Sequence, residues 1–293
     1  MKIARLIYIM LFCAAFVACS KKTEDPFPTD MRQTVSTDAE FEAITNEADD
    51  LVMSALTVAD APSGRYAVLS DDRITCATLT FDSTANRVTG SVVVDFGTGC
   101  TDVRGNTRTG KITITWINGR WFKVGSHITT VFQNYSVNGI TFTTGNGATI
   151  HNVSSVVSPL TWTVESFYNL TWPDQTGSNR TMHLTRQWVK AADPMNDRII
   201  VAQSKNAASA AAGTNRYSKT FNVVITTPIE YLRSCILSNK VHRPVKGIRT
   251  ITYDTNKTVT FDFGNGVCDD SFTVSTSATT QKVTFKNSGL DVD

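Results

Sequence analysis

One phrase is written twice in this chain. VVVDFGTGC runs from Val92 to Cys100, and VTFDFGNGVC runs from Val259 to Cys268. In the first copy Val92, Val94 and Phe96 alternate with Ser91 and Asp95; in the second Val259, Phe261 and Phe263 alternate with Thr258, Thr260 and Asp262. A period of two is that of a strand with one buried face. The aspartates Asp95 and Asp262 hold the same place on the polar face. Gly97 or Gly264 ends each strand and Gly99 or Gly266 follows, which permits a sharp turn because glycine adopts positive φ at no steric cost. A cysteine comes next, and then a further alternating run, GKITITW in one copy and SFTVSTS in the other. The phrase therefore constrains the fold to an antiparallel β assembly containing a duplicated meander.

The first residues bear on the compartment. Lys2 and Arg5 precede an apolar run from Leu6 to Val17, and Ala18 stands before Cys19. This is the layout of a secretory signal, and the run is short of the ~20 residues of a spanning helix. The ending FVAC resembles the lipobox of bacterial lipoproteins. That resemblance implies cleavage before Cys19, attachment of lipid to its thiol with palmitate as an acyl group, and membrane attachment through that lipid. Residues 1–18 read as signal peptide. Residues 19–35, with Pro26, Pro28 and several charges, read as a flexible tether. No Asp follows Cys19, and KKTED loosely resembles the acidic export signals of Bacteroidetes surface lipoproteins. The expected location is the outer membrane, on its periplasmic or cell-surface face.

Taking Lys2 and Arg5 from the 28 basic residues leaves 26 against 26 acidic ones. A nucleic-acid partner would call for a basic excess, and none is present. Of six cysteines, Cys13 leaves with the leader and Cys19 takes lipid. Four remain, which allow three pairings. The repeat chooses among them. Cys76 opens CATLTF and Cys235 opens CILSNK, both read as strands, and each copy closes with a cysteine past a later strand. Antiparallel strands bring such ends together, so the expected disulfides are Cys76–Cys100 and Cys235–Cys268, adding on the order of 3–4 kcal/mol each. A four-thiolate zinc site would want the short Cys-x-x-Cys spacing that is missing here.

Residues 36–293 read as one all-β domain, a large antiparallel sheet assembly in the form of a sandwich or an open curved barrel. It would hold an N-terminal helix over residues 36–60 and repeat units over about 66–120 and 225–290. The helix is written in STDAEFEAITNEADDLVMSAL, where Phe41, Ile44, Ala48, Leu51, Val52 and Ala55 form one stripe. Thr37 with Glu40 fits a capping box, and the polar face is acidic. Such a helix would lie across an open sheet face or barrel mouth. Two-residue hairpins are expected at Asn118-Gly119, between Trp116 and Trp121, and at Asn138-Gly139. KNAASAAAG, Lys205 to Gly213, reads as a strand running into a turn.

The DFGTGC element with RGNTRTGKITITW, SVNGITFTTGN and the late VTFDFGNGVCDD resembles a family of Bacteroidetes outer-membrane lipoproteins. The resemblance covers most of the chain after the helix. It implies an all-β secreted fold and outer-membrane placement, and it carries over no activity and no functional residues.

Sites for chemistry are sparse. His127, His151, His183 and His242 show no metal-ligand spacing, and no nucleophile elbow or phosphate loop is present. Kinases also carry DFG, but the lysine strand and catalytic loop are missing. Asp262, Asn265, Asp269 and Asp270 read as a solvated turn before they read as calcium ligands. Trp116, Trp162, Phe167, Tyr168, Trp172 and Trp188 read as core before they read as a sugar platform. Asp82-Ser83-Thr84 resembles the O-glycosylation site of Bacteroidetes secreted proteins, with Ser83 as acceptor. The expected function is that of an envelope lipoprotein with a structural or binding role, not an enzyme, with no cofactor and no metal. The alternatives are a glycan- or protein-binding surface protein, a carrier of an apolar ligand under the helix stripe, or a secreted hydrolase.

Overall fold

A computed structural model describes residues 27–60, 73–84, 87–103, 105–119, 123–143, 148–155, 159–239, 243–269 and 271–284. Cys19, the residue expected to carry lipid, lies outside them, as do Trp121, His242 and Asp270 and the side chain of His151. The first element among the described residues is helix α1 (Thr29–Asp60). Then come β1 (Thr78–Ser83), β2 (Gly90–Asp95), β3 (Cys100–Thr101), β4 (Thr107–Ile117), β5 (His127–Val137), β6 (Ile140–Phe142), β7 (Ala148–Ser155) and β8 (Leu160–Thr171). Next are β9 (Gly177–Val189), β10 (Arg198–Gln203), β11 (Ala211–Thr214) and β12 (Thr220–Leu232). Helix α2 (Arg233–Asn239) leads to β13 (Lys246–Tyr253), β14 (Lys257–Asn265), β15 (Ser271–Ser275) and β16 (Thr280–Thr284).

All sixteen strands among the described residues belong to one sheet, with β1 at one end and β16 at the other. Neighbouring strands run antiparallel and mostly follow one another in sequence, as short connections dictate. The fold is thus all-β with one long helix, and a single sheet replaces the two layers of a sandwich. Along β4, β8 and β9 the alternation is strict. Ile112, Ile114 and Trp116 are buried, as are Trp162, Val164, Tyr168 and Leu170. Inward side chains of β2, β4, β5, β6 and β8 through β16 join α1 in one core. Phe41, Leu51, Ala55 and Leu56 of the helix are fully buried in it. Phe132 stacks on Phe142 at 4.6 Å, with Tyr135 and Tyr168 beside them. The sheet therefore curves around α1, which runs along its concave side for about 48 Å at 1.5 Å per residue.

The helix begins seven residues before the expected start. Thr29 to Val35 are helical, and Phe27, Met31 and Val35 are buried. The tether reading therefore fails from Phe27 onward. Pro28 stands just before the first turn, and its carbonyl accepts the amides of Met31 and Arg32 at 3.1 Å. Thr37 is a buried residue inside the helix and caps nothing. Cys235 lies in the first turn of helix α2, not in a strand. Asn118-Gly119 starts a nine-residue connection, because Ile117 pairs with His127. The two-residue hairpin at Asn138-Gly139 forms as expected, with φ of 50° and 80°. In the alanine-rich stretch the order is reversed: turns come first, and β11 starts at Ala211.

The duplicated phrase is a duplicated piece of sheet. Disulfides join Cys76 to Cys100 and Cys235 to Cys268. Asp95 Oδ1 accepts the amide of Gly97 at 2.8 Å, and Asp262 Oδ1 accepts that of Gly264 at 2.9 Å. These are Asx turns, closed by glycines at φ of 60° and 85°. Val94 pairs with Leu79 and Ile112, while Phe261 pairs with Arg249 and Val274. Counted from the aspartates, Leu79, Thr80 and Phe81 thus correspond to Arg249, Thr250 and Ile251. The correspondence continues one strand further than the sequence shows, because Ile112 pairs with Phe132 and Val274 with Gln281. Strands β1-β2-β4-β5 match β13-β14-β15-β16, so the first unit runs past residue 120. The copies form the two ends of the sheet.

Candidate functional site

The concave face of the sheet is where charge collects. Arginines stand on the inward, otherwise apolar face of three strands: Arg108 on β4, Arg180 and Arg186 on β9, Arg249 on β13. All four are buried. Carboxylates of α1 spread over about three helical turns meet them. Asp38 pairs with Arg180 and, at 2.6 Å, with Arg249; Glu42 also pairs with Arg249. Asp49 meets Arg186 at 2.8 Å and accepts the Tyr168 hydroxyl at 2.6 Å. Glu47 pairs with Arg108, whose other terminal nitrogen pairs with Asp102.

Neutral groups link these pairs. The Tyr231 hydroxyl donates to Glu42 at 2.9 Å and accepts from Asn46 Nδ2 at 3.1 Å; Arg186 donates to Asn46 Oδ1 at 3.1 Å. Further out, Asp50 pairs with Arg73 at 2.5 Å, Glu40 with Arg216 at 3.1 Å, and Asp30 with Lys257 at 2.5 Å. Asp38, Glu42, Glu47 and Asp49 of the helix therefore point at sheet arginines and away from solvent, while Asp50 and Asp30 stay partly exposed.

Aromatic rings complete the arginine sockets. The Arg180 guanidinium lies 4.5 Å from the Phe41 ring and 4.8 Å from that of Phe221. Arg249 lies 4.9 Å from Phe261 and 5.2 Å from Phe263. A planar, weakly hydrated cation suits such a setting. Burial lowers the pKa of Arg249, and Asp38 opposes that shift. At Arg108 burial also works against the charge, but Glu47, Tyr135 and Asp102 outweigh it and leave the pKa raised. Burial pushes Tyr231 up to about 12, and it raises Tyr135 as well.

A small space lies between α1 and the sheet, lined by Thr34, Thr37, Asp38, Ser178, Arg180, Asn215, Phe221 and Ile251. It has room for about one water molecule.

Apart from Tyr168, which donates to Asp49, the candidate site residues named from sequence fall elsewhere. The two disulfides brace the ends of the sheet. Ser83 ends β1 on the surface. Trp116, Trp162, Tyr168 and Trp172 are core residues. Asp262 is engaged in its turn, and Asp269 accepts from Ser271 and pairs with Lys282 at 3.6 Å. His183 sits opposite Glu165 on the outer face. Among the described residues no three His, Cys, Asp or Glu side chains converge as a metal site, and no helix is long and apolar enough to cross a membrane.

The helix–sheet ion network is not among the expectations from sequence, although a signal for it exists. In GSNRTMHLTRQWV a period of two puts Arg180, Met182, Leu184 and Arg186 on one face, and in KGIRTITY it does the same for Arg249, Ile251 and Tyr253. An arginine on an apolar strand face announces a buried acidic partner. No family model, no curated protein and no solved structure matches this chain.

Proposed function

We propose that this protein is an envelope lipoprotein, anchored to the outer membrane through Cys19, with a non-catalytic structural or binding role carried by the outside of its sheet. One observation carries the reading: the concave face, where a curved sheet would receive a ligand, is filled by the chain's own helix. The helix carboxylates that reach this face are each paired with an arginine, which suits a scaffold better than an acid–base site that needs an available group. The same packing weighs against an apolar-ligand carrier. The stripe from Phe41 to Ala55 rests directly on core side chains, and the space beside it is no larger than a water molecule. A glycan or an envelope protein would then be met on the outer face or at an edge. Ser83, exposed on β1, remains the candidate glycan acceptor.

The test is fractionation and protease shaving of intact cells producing the natural chain or Cys19→Ala. The reading expects labelled palmitate on the natural chain only, and release of the variant from the membrane fraction. Membrane association that survives Cys19→Ala would contradict it.

A further inference from the structure

The two ends of the sheet are not equally finished. In the second copy the outer edge of β13 is covered by β12, where Val223 pairs with Ile251 and Val224 with Thr250. In the first copy the matching strand β1 pairs only with β2 among the described residues. The consequence shows at equivalent positions: Ile251 is 0% exposed and Phe81 is 47% exposed. Yet Phe81 stands opposite Val92, and Val92 opposite Ile114, both fully buried. Residues paired across a sheet share a face. Phe81 therefore belongs to a core row that stops one strand too early.

Edge strands are ordinarily protected by lysine, proline or a bulge. The other end of the sheet has such a guard in Lys282 of β16. Strand β1, TLTFDS, has none of the three, and its six pairs with β2 run without a register shift.

We infer that β1 is an interface for a second copy of this chain, which adds its own β1 antiparallel to form a continuous sheet across a two-fold axis. The sequence of β1 is self-complementary in this arrangement. Registers that match faces must oppose residues whose numbers sum to an even value. The one centred on Thr80 opposes Thr80 to itself, Leu79 to Phe81 twice, and Asp82 to Thr78 twice. Both half-covered apolar residues gain an apolar partner, and no like charges meet. The second copy thus supplies what β12 supplies to β13.

Cysteine placed at the two-fold tests this directly, because the protein's own core-domain cysteines are held in disulfides. Full-length Thr80→Cys, produced in cells and treated in isolated membranes with a short bismaleimide, should give a covalent dimer on a denaturing gel. Adding Phe81→Lys should reduce that dimer to background, and Thr280→Cys on β16 should give none. Both positions are exposed, so folding can be checked by retained disulfides and β-type circular dichroism. A folded Thr80→Cys protein that stays monomeric would overturn the inference. Cross-linking through Thr280→Cys as efficient as through Thr80→Cys would overturn it too, because it would mean that the copies meet at β16 or without a fixed interface.

Discussion

The two disulfide-braced ends of the sheet share a plan and differ in what they face. Both have the Asx turn, the closing glycine and the same register from strand to strand. At the position two residues before Phe81 or Ile251, one copy has Leu79 and the other Arg249. Leu79 lies near an open edge. Arg249 lies against Asp38 and Glu42 of α1. Duplication thus kept the backbone devices that set local geometry, and inward side chains diverged according to the neighbour. A turn needs the same atoms wherever it stands, whereas a buried face needs whatever complements the element packed on it.

Exchanging these two residues should break that comparison most severely. Arg249→Leu leaves Asp38 and Glu42 short of a buried counter-charge and should cost about 3–5 kcal/mol in denaturant unfolding. The reciprocal Leu79→Arg, at a half-exposed site, should change stability by less than about 1 kcal/mol. Equal effects of the two substitutions would mean that the copies are not differentiated by α1.

Removing either disulfide comes next. The bonds close segments of 24 and 33 residues, so Cys76→Ser with Cys100→Ser, and Cys235→Ser with Cys268→Ser, should each cost about 3–4 kcal/mol. A loss confined to one pair would show that only that end matters to the global transition.

The turn aspartates carry smaller effects. Asp262→Ala should cost about 1 kcal/mol through the lost bond to the Gly264 amide. Asp95 adds a pH dependence. Lys111 first, and the Gly97 amide second, hold its carboxyl below the ordinary value of 3.8. A depressed folded pKa gives a contribution that is present above that ordinary value and is lost as pH falls through the folded pKa. Carbon-detected titration of Asp95 should show the low midpoint, and Lys111→Ala should move it up.

Much of this architecture is legible in the amino-acid sequence. The period of two locates strands such as GKITITW, and the repeat chooses the disulfide pairs, because both are local patterns with one geometric solution. The apolar stripe of α1 is legible for the same reason. Its first turns are not, since TDMRQTV offers only Met31 and Val35 as apolar contacts and looks like the tether before it. Helix α2 passes for a strand because CILSNK is too short for helical periodicity to show against strand-rich surroundings. The ion network stays hidden for another reason. Asp38, Glu42 and Asp49 make an ordinary acidic helix face, and their meaning depends on Arg180, Arg186 and Arg249, which lie 140 or so residues or more away in sequence and come near only when the sheet curves.

That curvature around a charged helix is the central claim, and hydrogen exchange of the intact protein measures it most directly. If α1 is part of the core, amides from Thr37 to Leu56 should exchange as slowly as those of β8 and β9 and with the same denaturant dependence, by global unfolding. If α1 exchanges far ahead of the sheet, at a free energy well below global unfolding, the helix is a loosely docked element and the concave face is open to another occupant.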